Sequence, residues 1–201
     1  MTYEEIRPSL DTGDVVLMGG RGIVSTVIKA ITASPYSHVG MIVRMPDPSS
    51  PVFIFESTIM STAKDVDAGE VLAGVSMVTA SGRLDGFEGE IRIRQLLGSA
   101  SPARRYDVAM SLRSELRGRP YQQIGMGELF KSAYDGPFGH NFQDLSSVFC
   151  SELVGEYLKR LGALPDTLPS NELTPADFQQ NRLIDRMVPN LFGPEIIIER
   201  Q

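Results

Sequence analysis

The sequence predicts an α+β fold in which a cysteine-bearing helix packs on an antiparallel sheet or partly closed barrel. Three observations carry that expectation. Two apolar runs, His38 to Val43 and Val52 to Glu56, are joined by the Pro/Ser-rich stretch Pro46 to Pro51, the pattern of an antiparallel strand pair. Ile91-Arg92-Ile93-Arg94 alternates with period two, as a half-buried edge strand does. Leu153, Val154, Tyr157, Leu158 and Leu161 recur at helical spacing and stop at Gly162, and this helix holds Cys150, the only cysteine in 201 residues.

Composition narrows the function classes. A chain of 201 residues suits one domain spanning 1–201, long enough to bury a core. Hydrophobic residues at 42%, charged residues at 22% and a mean hydropathy of -0.06 are ordinary for a globular protein and argue against disordered and membrane classes. A net charge of -6 with no Lys/Arg run argues against nucleic acid as a partner. One cysteine cannot form an internal disulfide, so a reducing compartment is compatible. The start Met1-Thr2-Tyr3-Glu4-Glu5 is acidic and lacks the apolar core of a signal peptide, and no apolar run is long enough to span a bilayer. The expected address is cytoplasmic, with no integral membrane segment.

Along the chain, Leu10 to Asp14 reads as a turn and Val15 to Met18 as a short, fully apolar strand. Gly19-Gly20-Arg21-Gly22 then opens onto a helix over Ile23 to Thr32. It lacks the third glycine of a dinucleotide fingerprint and no Gly-Lys-Ser/Thr follows, so a tight turn for close helix packing is the expected use. Ser34-Pro35-Tyr36-Ser37 breaks that helix ahead of the His38 strand. Glu56 closes the second strand as a carboxylate at the sheet rim. A short strand is expected over Val75 to Thr79, among the turn glycines Gly82, Gly86 and Gly89. Ser101-Pro102 is a cap with proline at the first helical position, predicting a helix over Ala103 to Arg117 that Gly118 ends. A short helix around Met126 to Ala133 and a loop over Asp135 to His140 follow. Beyond the Cys150 helix, Leu164 to Ser170 reads as a linker, Thr174 to Asp177 as the start of a short helix, and Glu195 to Arg200 as a final strand.

Cys150 falls in the first helical turn, with Ser146 and Ser147 as expected N-caps. There, unpaired backbone N–H groups and the positive end of the helix dipole favour a thiolate. Lying on the face of Leu153, Val154 and Tyr157, it is by itself better explained as an inert buried thiol. A nucleophile needs a base, and the chain has two histidines, His38 and His140. His38, held at a strand end, is better positioned than His140 in a Gly/Pro-rich loop, and Glu56 on the neighbouring strand can orient it. Neither Ser61-Thr62-Ala63-Lys64 nor Asp65-Val66-Asp67 has the partners that a serine acyl-enzyme or a calcium loop needs, and one cysteine with two distant histidines predicts no zinc site. No cofactor is expected.

Several pieces together resemble a known family. In order they are Leu10-Asp11-Thr12-Gly13-Asp14-Val15-Val16-Leu17, Ser34-Pro35-Tyr36-Ser37-His38-Val39-Gly40-Met41-Ile42, Phe55-Glu56-Ser57, Gly74-Val75, Gly118-Arg119-Pro120-Tyr121, Phe149-Cys150-Ser151-Glu152-Leu153-Val154 and Thr174-Pro175-Ala176-Asp177. This order, histidine first and cysteine late, resembles the circularly permuted papain-like cysteine hydrolases, the YiiX-like branch of the NlpC-type superfamily, with lecithin-retinol acyltransferase-like enzymes as relatives. The resemblance implies a single permuted papain-like domain over 1–201, with Cys150 as nucleophile, His38 as base and Glu56 as the third polar residue. Glu56 favours the YiiX-like branch, because the acyltransferase relatives commonly carry a second histidine there. The implied chemistry is acyl transfer from an amide or ester, on a small peptide, amide or lipid-like acyl substrate. Lipid hydrolysis or acyl transfer, and an inactive binding module keeping the fold, are the alternatives.

Overall fold

The computed structural model describes residues 1–98, 100–117, 119 and 149–199. Its centre is a six-stranded antiparallel sheet of β1 (Val15–Gly20), β2 (His38–Arg44), β3 (Val52–Thr58), β4 (Gly74–Thr79), β5 (Gly89–Arg94) and β6 (Ile196–Ile197), in the order β4-β3-β2-β1-β5-β6. Helices flank it: α1 (Tyr3–Ile6), α2 (Ile23–Thr32), α3 (Ala80–Asp85), α4 (Pro102–Leu116), α5 (Cys150–Arg160) and α6 (Leu183–Met187). None of the described helices is long and apolar enough to cross a membrane.

Both faces of the sheet are covered, which explains why its inner strands read as continuous apolar runs rather than alternating ones. Leu17, Val39, Met41, Phe55 and Met77 join one core cluster with Leu112 of α4 and Leu153, Val154 and Tyr157 of α5. Val16, Met18, Ile42, Ile54 and Val78 join a second, with Ile6 of α1 and Leu84 of α3. Each of β1 to β4 therefore contributes to two cores, and a one-residue slip in register would exchange all of its contacts.

The helix ends follow local chemistry. Ser101 caps α4 by accepting from the Arg104 N–H, and Pro102 occupies the first helical position, where its missing donor costs nothing. At Gly155 of α5 an added Cβ would lie 2.5 Å from Leu173 Cδ1, so the small residue lets the Ser170–Glu172 turn pack against the helix. Arg94 is among the largest fully buried side chains. Its guanidinium donates to Asp185 and to the carbonyls of Phe178 and Gly193, tying the C-terminal segment to β5.

Several expectations change. Glu56 is not at the sheet rim: β3 runs on through Ser57 to Thr58, and Glu56 is fully buried. Of the expected turn glycines, Gly82 lies inside α3 and Gly89 opens β5. The Ile91 strand is not an edge: β5 lies between β1 and the two-residue β6, too short a strand to show any periodicity. The expected final strand over Glu195 to Arg200 reduces to β6 and a Glu199 bridge to Thr2. Helix α2 has the expected bounds but not the close packing: only Ser25 is buried, whereas Ile23 is 84% and Val24 48% exposed. The N-cap of α5 is Phe149 rather than a serine. Ser146, Ser147, Gly118, the expected helix over Met126 to Ala133 and the loop holding His140 lie outside the described residues.

Candidate active site

The site is assembled at the start of β2. The β2–β3 register sets Met41 opposite Phe55 and so carries Gly40 opposite Glu56, with His38 one diagonal step beyond. Diagonal neighbours stand roughly 7–8 Å apart, within reach of long side chains. His38 Nε2 meets Glu56 Oε2 at 2.6 Å. Gly40 keeps that diagonal open: a Cβ there would lie 2.9 Å from Ile54 Cγ2 and 3.3 Å from Glu56 Cβ. Gly40→Val is therefore expected to cost about 1–3 kcal/mol by overpacking and to slow Cys150 alkylation, read by urea unfolding and iodoacetamide labelling side by side.

Cys150 is the first residue of α5 and is 5% exposed. Phe149, with an extended backbone (φ -76, ψ 160) and no side-chain acceptor, leaves the first N–H groups uncapped by its own side chain, while Glu152 turns back to accept from the Phe149 N–H at 3.3 Å. Cys150 and His38 lie close enough for each to shift the other by charge and hydrogen bonding, and the backbone N–H groups of Val39 and Ser151 face the sulfur. With Nε2 engaged by Glu56, the imidazole nitrogen left for sulfur is Nδ1. Cys150 from late in the chain thus meets His38 and Glu56 from its first third.

The electrostatics follow from burial and pairing. Burial pushes the Cys150 thiol up, but the adjacent His38 cation, its hydrogen bond and the two backbone N–H groups outweigh it and hold the thiol below its ordinary value. Burial pulls His38 down, against which the Cys150 anion and the Glu56 carboxylate push it up to about 9. Burial also raises Glu56, and His38 with Arg83 more than offsets it, so the carboxyl is lowered. All three shifts favour thiolate, imidazolium and carboxylate together.

Arg83 of α3 was not foreseen from the sequence. Its Nε donates to Glu56 Oε1 at 2.7 Å, and its guanidinium carbon lies 5.3 Å from the Phe87 ring centroid. A lone arginine among turn glycines carries no motif. Arg83 and His38 also line a cleft of about 240 Å³ whose other walls include Val24, Ile28, Ile59 and Met60.

No protein-family model matches the chain, and no curated protein matches it. Among solved structures it is similar to metalloprotein YiiX from Escherichia coli O157:H7, with a TM-score of 0.54 and 15% sequence identity over 96% of this chain and 98% of that one. The chain has a YiiX-like fold. A likeness at this identity speaks for the fold alone, and "metalloprotein" is said of that protein. Among the described residues no group of three or more His, Cys, Asp or Glu side chains is placed to hold a metal, and both Glu56 oxygens are already engaged by His38 and Arg83. The described residues do not fit a metal centre.

Proposed function

We propose that the chain is a cysteine-dependent hydrolase of amide or ester acyl bonds, a permuted papain-like domain in which Cys150 is the nucleophile, His38 the acid-base and Glu56 the residue that orients it. One observation carries this reading: a part-buried imidazole, hydrogen-bonded through Nε2 to a fully buried carboxylate, lies beside the only cysteine of the chain. The Cys150 thiolate attacks the substrate carbonyl, forming a C–S bond and a tetrahedral oxyanion. The backbone N–H of Cys150, at the start of α5, is a natural donor to that oxyanion. Protonated His38 gives its proton to the departing amine or alcohol as that bond breaks, leaving a thioester. His38, now neutral, takes a proton from water as the water attacks the thioester, and the free acid and the thiolate–imidazolium pair are restored.

The apolar cleft wall favours a second reading of the acyl group. Val24, Ile28, Ile59 and Met60 suit a lipid-like acyl chain better than a charged peptide, and Ile59 and Met60 are 49% and 54% exposed. Trapping distinguishes the two. Cell extract mixed with the protein, quenched in acid and weighed intact, should show an adduct on Cys150 that is absent in Cys150→Ser at the thioester-sensitive position. A peptidyl mass supports amidase action and a fatty-acyl mass the lipid-like substrate. No adduct, together with ordinary thiol reactivity, would point to a binding module.

A further inference from the structure

We infer that Arg83 is a positioning residue of this site: its cation balances the charge of Glu56, so that the cluster holding a Cys150 thiolate is electrically neutral. The inference rests on the cysteine-hydrolase reading and adds a fourth residue to it. Glu56 is 0% exposed and accepts from two directions, His38 Nε2 on one oxygen and Arg83 Nε on the other. Arg83 is itself 6% exposed, so its charge has little water to answer it. Counting the reactive form gives two cations, Arg83 and His38 imidazolium, against two anions, Glu56 carboxylate and Cys150 thiolate. Each charge has an opposite neighbour in the order Arg83, Glu56, His38, Cys150.

Removing Arg83 alone leaves two anions and one cation in a largely buried site at the foot of the cleft. A buried net charge is expensive, and the least costly response is to take up a proton. Whether that proton settles on Glu56 or on sulfur, the thiolate–imidazolium pair is depleted. Arg83 touches neither the thiol nor the scissile bond in this arrangement; it acts through Glu56. The placement follows from the chain. Strand β4 pairs with β3 so that Ser76 stands opposite Glu56, and the chain then turns directly into α3, which brings Arg83 back over the carboxylate. Phe87, one turn later, supports the guanidinium face.

The test measures the rate of Cys150 alkylation by iodoacetamide from pH 4 to pH 10 in the full chain, for the wild type, R83M, R83K, H38A and the double variant E56Q/R83M. R83M should move the apparent thiol pKa up by at least about one unit, a tenfold loss of labelling at a pH below both values. R83K, which keeps a cation, should recover part of the shift. E56Q/R83M removes one charge of each sign and should return the profile toward the wild type, a compensation that loss of packing does not produce. An R83M profile superposing on the wild type, or a double variant no better than R83M, overturns the role of Arg83 while leaving the Cys150–His38 reading intact. An H38A profile equal to the wild type overturns that reading itself. Should R83M fail to fold, the double variant decides: a profile near the wild type supports the charge balance, and one as shifted as H38A refutes it.

Discussion

His38→Ala is expected to turn Cys150 from a reactive thiolate into an ordinary buried thiol. The wild-type thiol is held below its usual value chiefly by the charge and hydrogen bond of His38 acting against burial. With the imidazole gone, burial acts with only the Val39 and Ser151 N–H groups opposing it, and the apparent pKa rises past the ordinary value. Each unit of that rise is a tenfold loss of thiolate at neutral pH, so iodoacetamide labelling at pH 7 should slow by roughly ten- to hundredfold. Turnover should show a further signature on the alkaline side. The imidazolium is lost as pH rises through about 9, and with it the proton for the leaving group. Hydrolysis should therefore fall above that pH while alkylation, which needs only the thiolate, does not. Labelling of H38A at the wild-type rate would refute the activated-nucleophile reading, and parallel loss of both rates above pH 9 would place the proton donor elsewhere.

Glu56→Ala should be among the most destabilising single changes in the chain. It strands the buried Arg83 cation and removes the acceptor of His38 Nε2 at once. Breaking a buried pair from one side costs about 3–5 kcal/mol, because the remaining charge is left without water or partner. Urea unfolding should show the midpoint shift with an unchanged slope. The pH dependence has a defined sign. Glu56 is lowered in the folded state from 4.5, so its contribution is fully present above that value and is lost as pH falls through the lower folded one. The gap between the wild type and E56A should narrow on acidification below pH 4.5. His38 has the opposite sign: raised from 6.5, its protonated form contributes fully below that value and less as pH climbs through about 9. A pH-independent gap between the wild type and E56A would mean that Glu56 contributes packing rather than charge.

Much of the frame was legible in the residues. The apolar runs of β1, β2 and β3 and the helical spacing of α2 and α5 appear where the patterns predict them, because period and capping are properties of neighbouring residues. Ser101-Pro102 marked the start of α4 for the same reason. What periodicity misjudged was surroundings. Alternation in Ile91 to Arg94 suggested an edge, yet β5 is flanked on both sides, and the glycine turn before α2 suggested close packing of that helix, yet it borders an open cleft. A residue's pattern tells which way it points, not what has been placed there.

The candidate site divides in the same way. The sequence by itself determined the inventory: one cysteine at a helix start, one histidine opening a strand and a glutamate at the end of the next apolar run, with few other groups able to serve. Only the tertiary structure decided that these meet. Cys150 reaches His38 across more than half the chain, and Arg83, 27 positions from Glu56, is brought onto the carboxylate by the turn from β4 into α3. Such contacts depend on strand order, on a glycine at position 40 that leaves the diagonal open, and on the balance of buried charge. That balance is a property of the assembled cluster and of no residue within it, which is why a lone arginine among turn glycines could be recognised only once the sheet had placed a carboxylate beneath it.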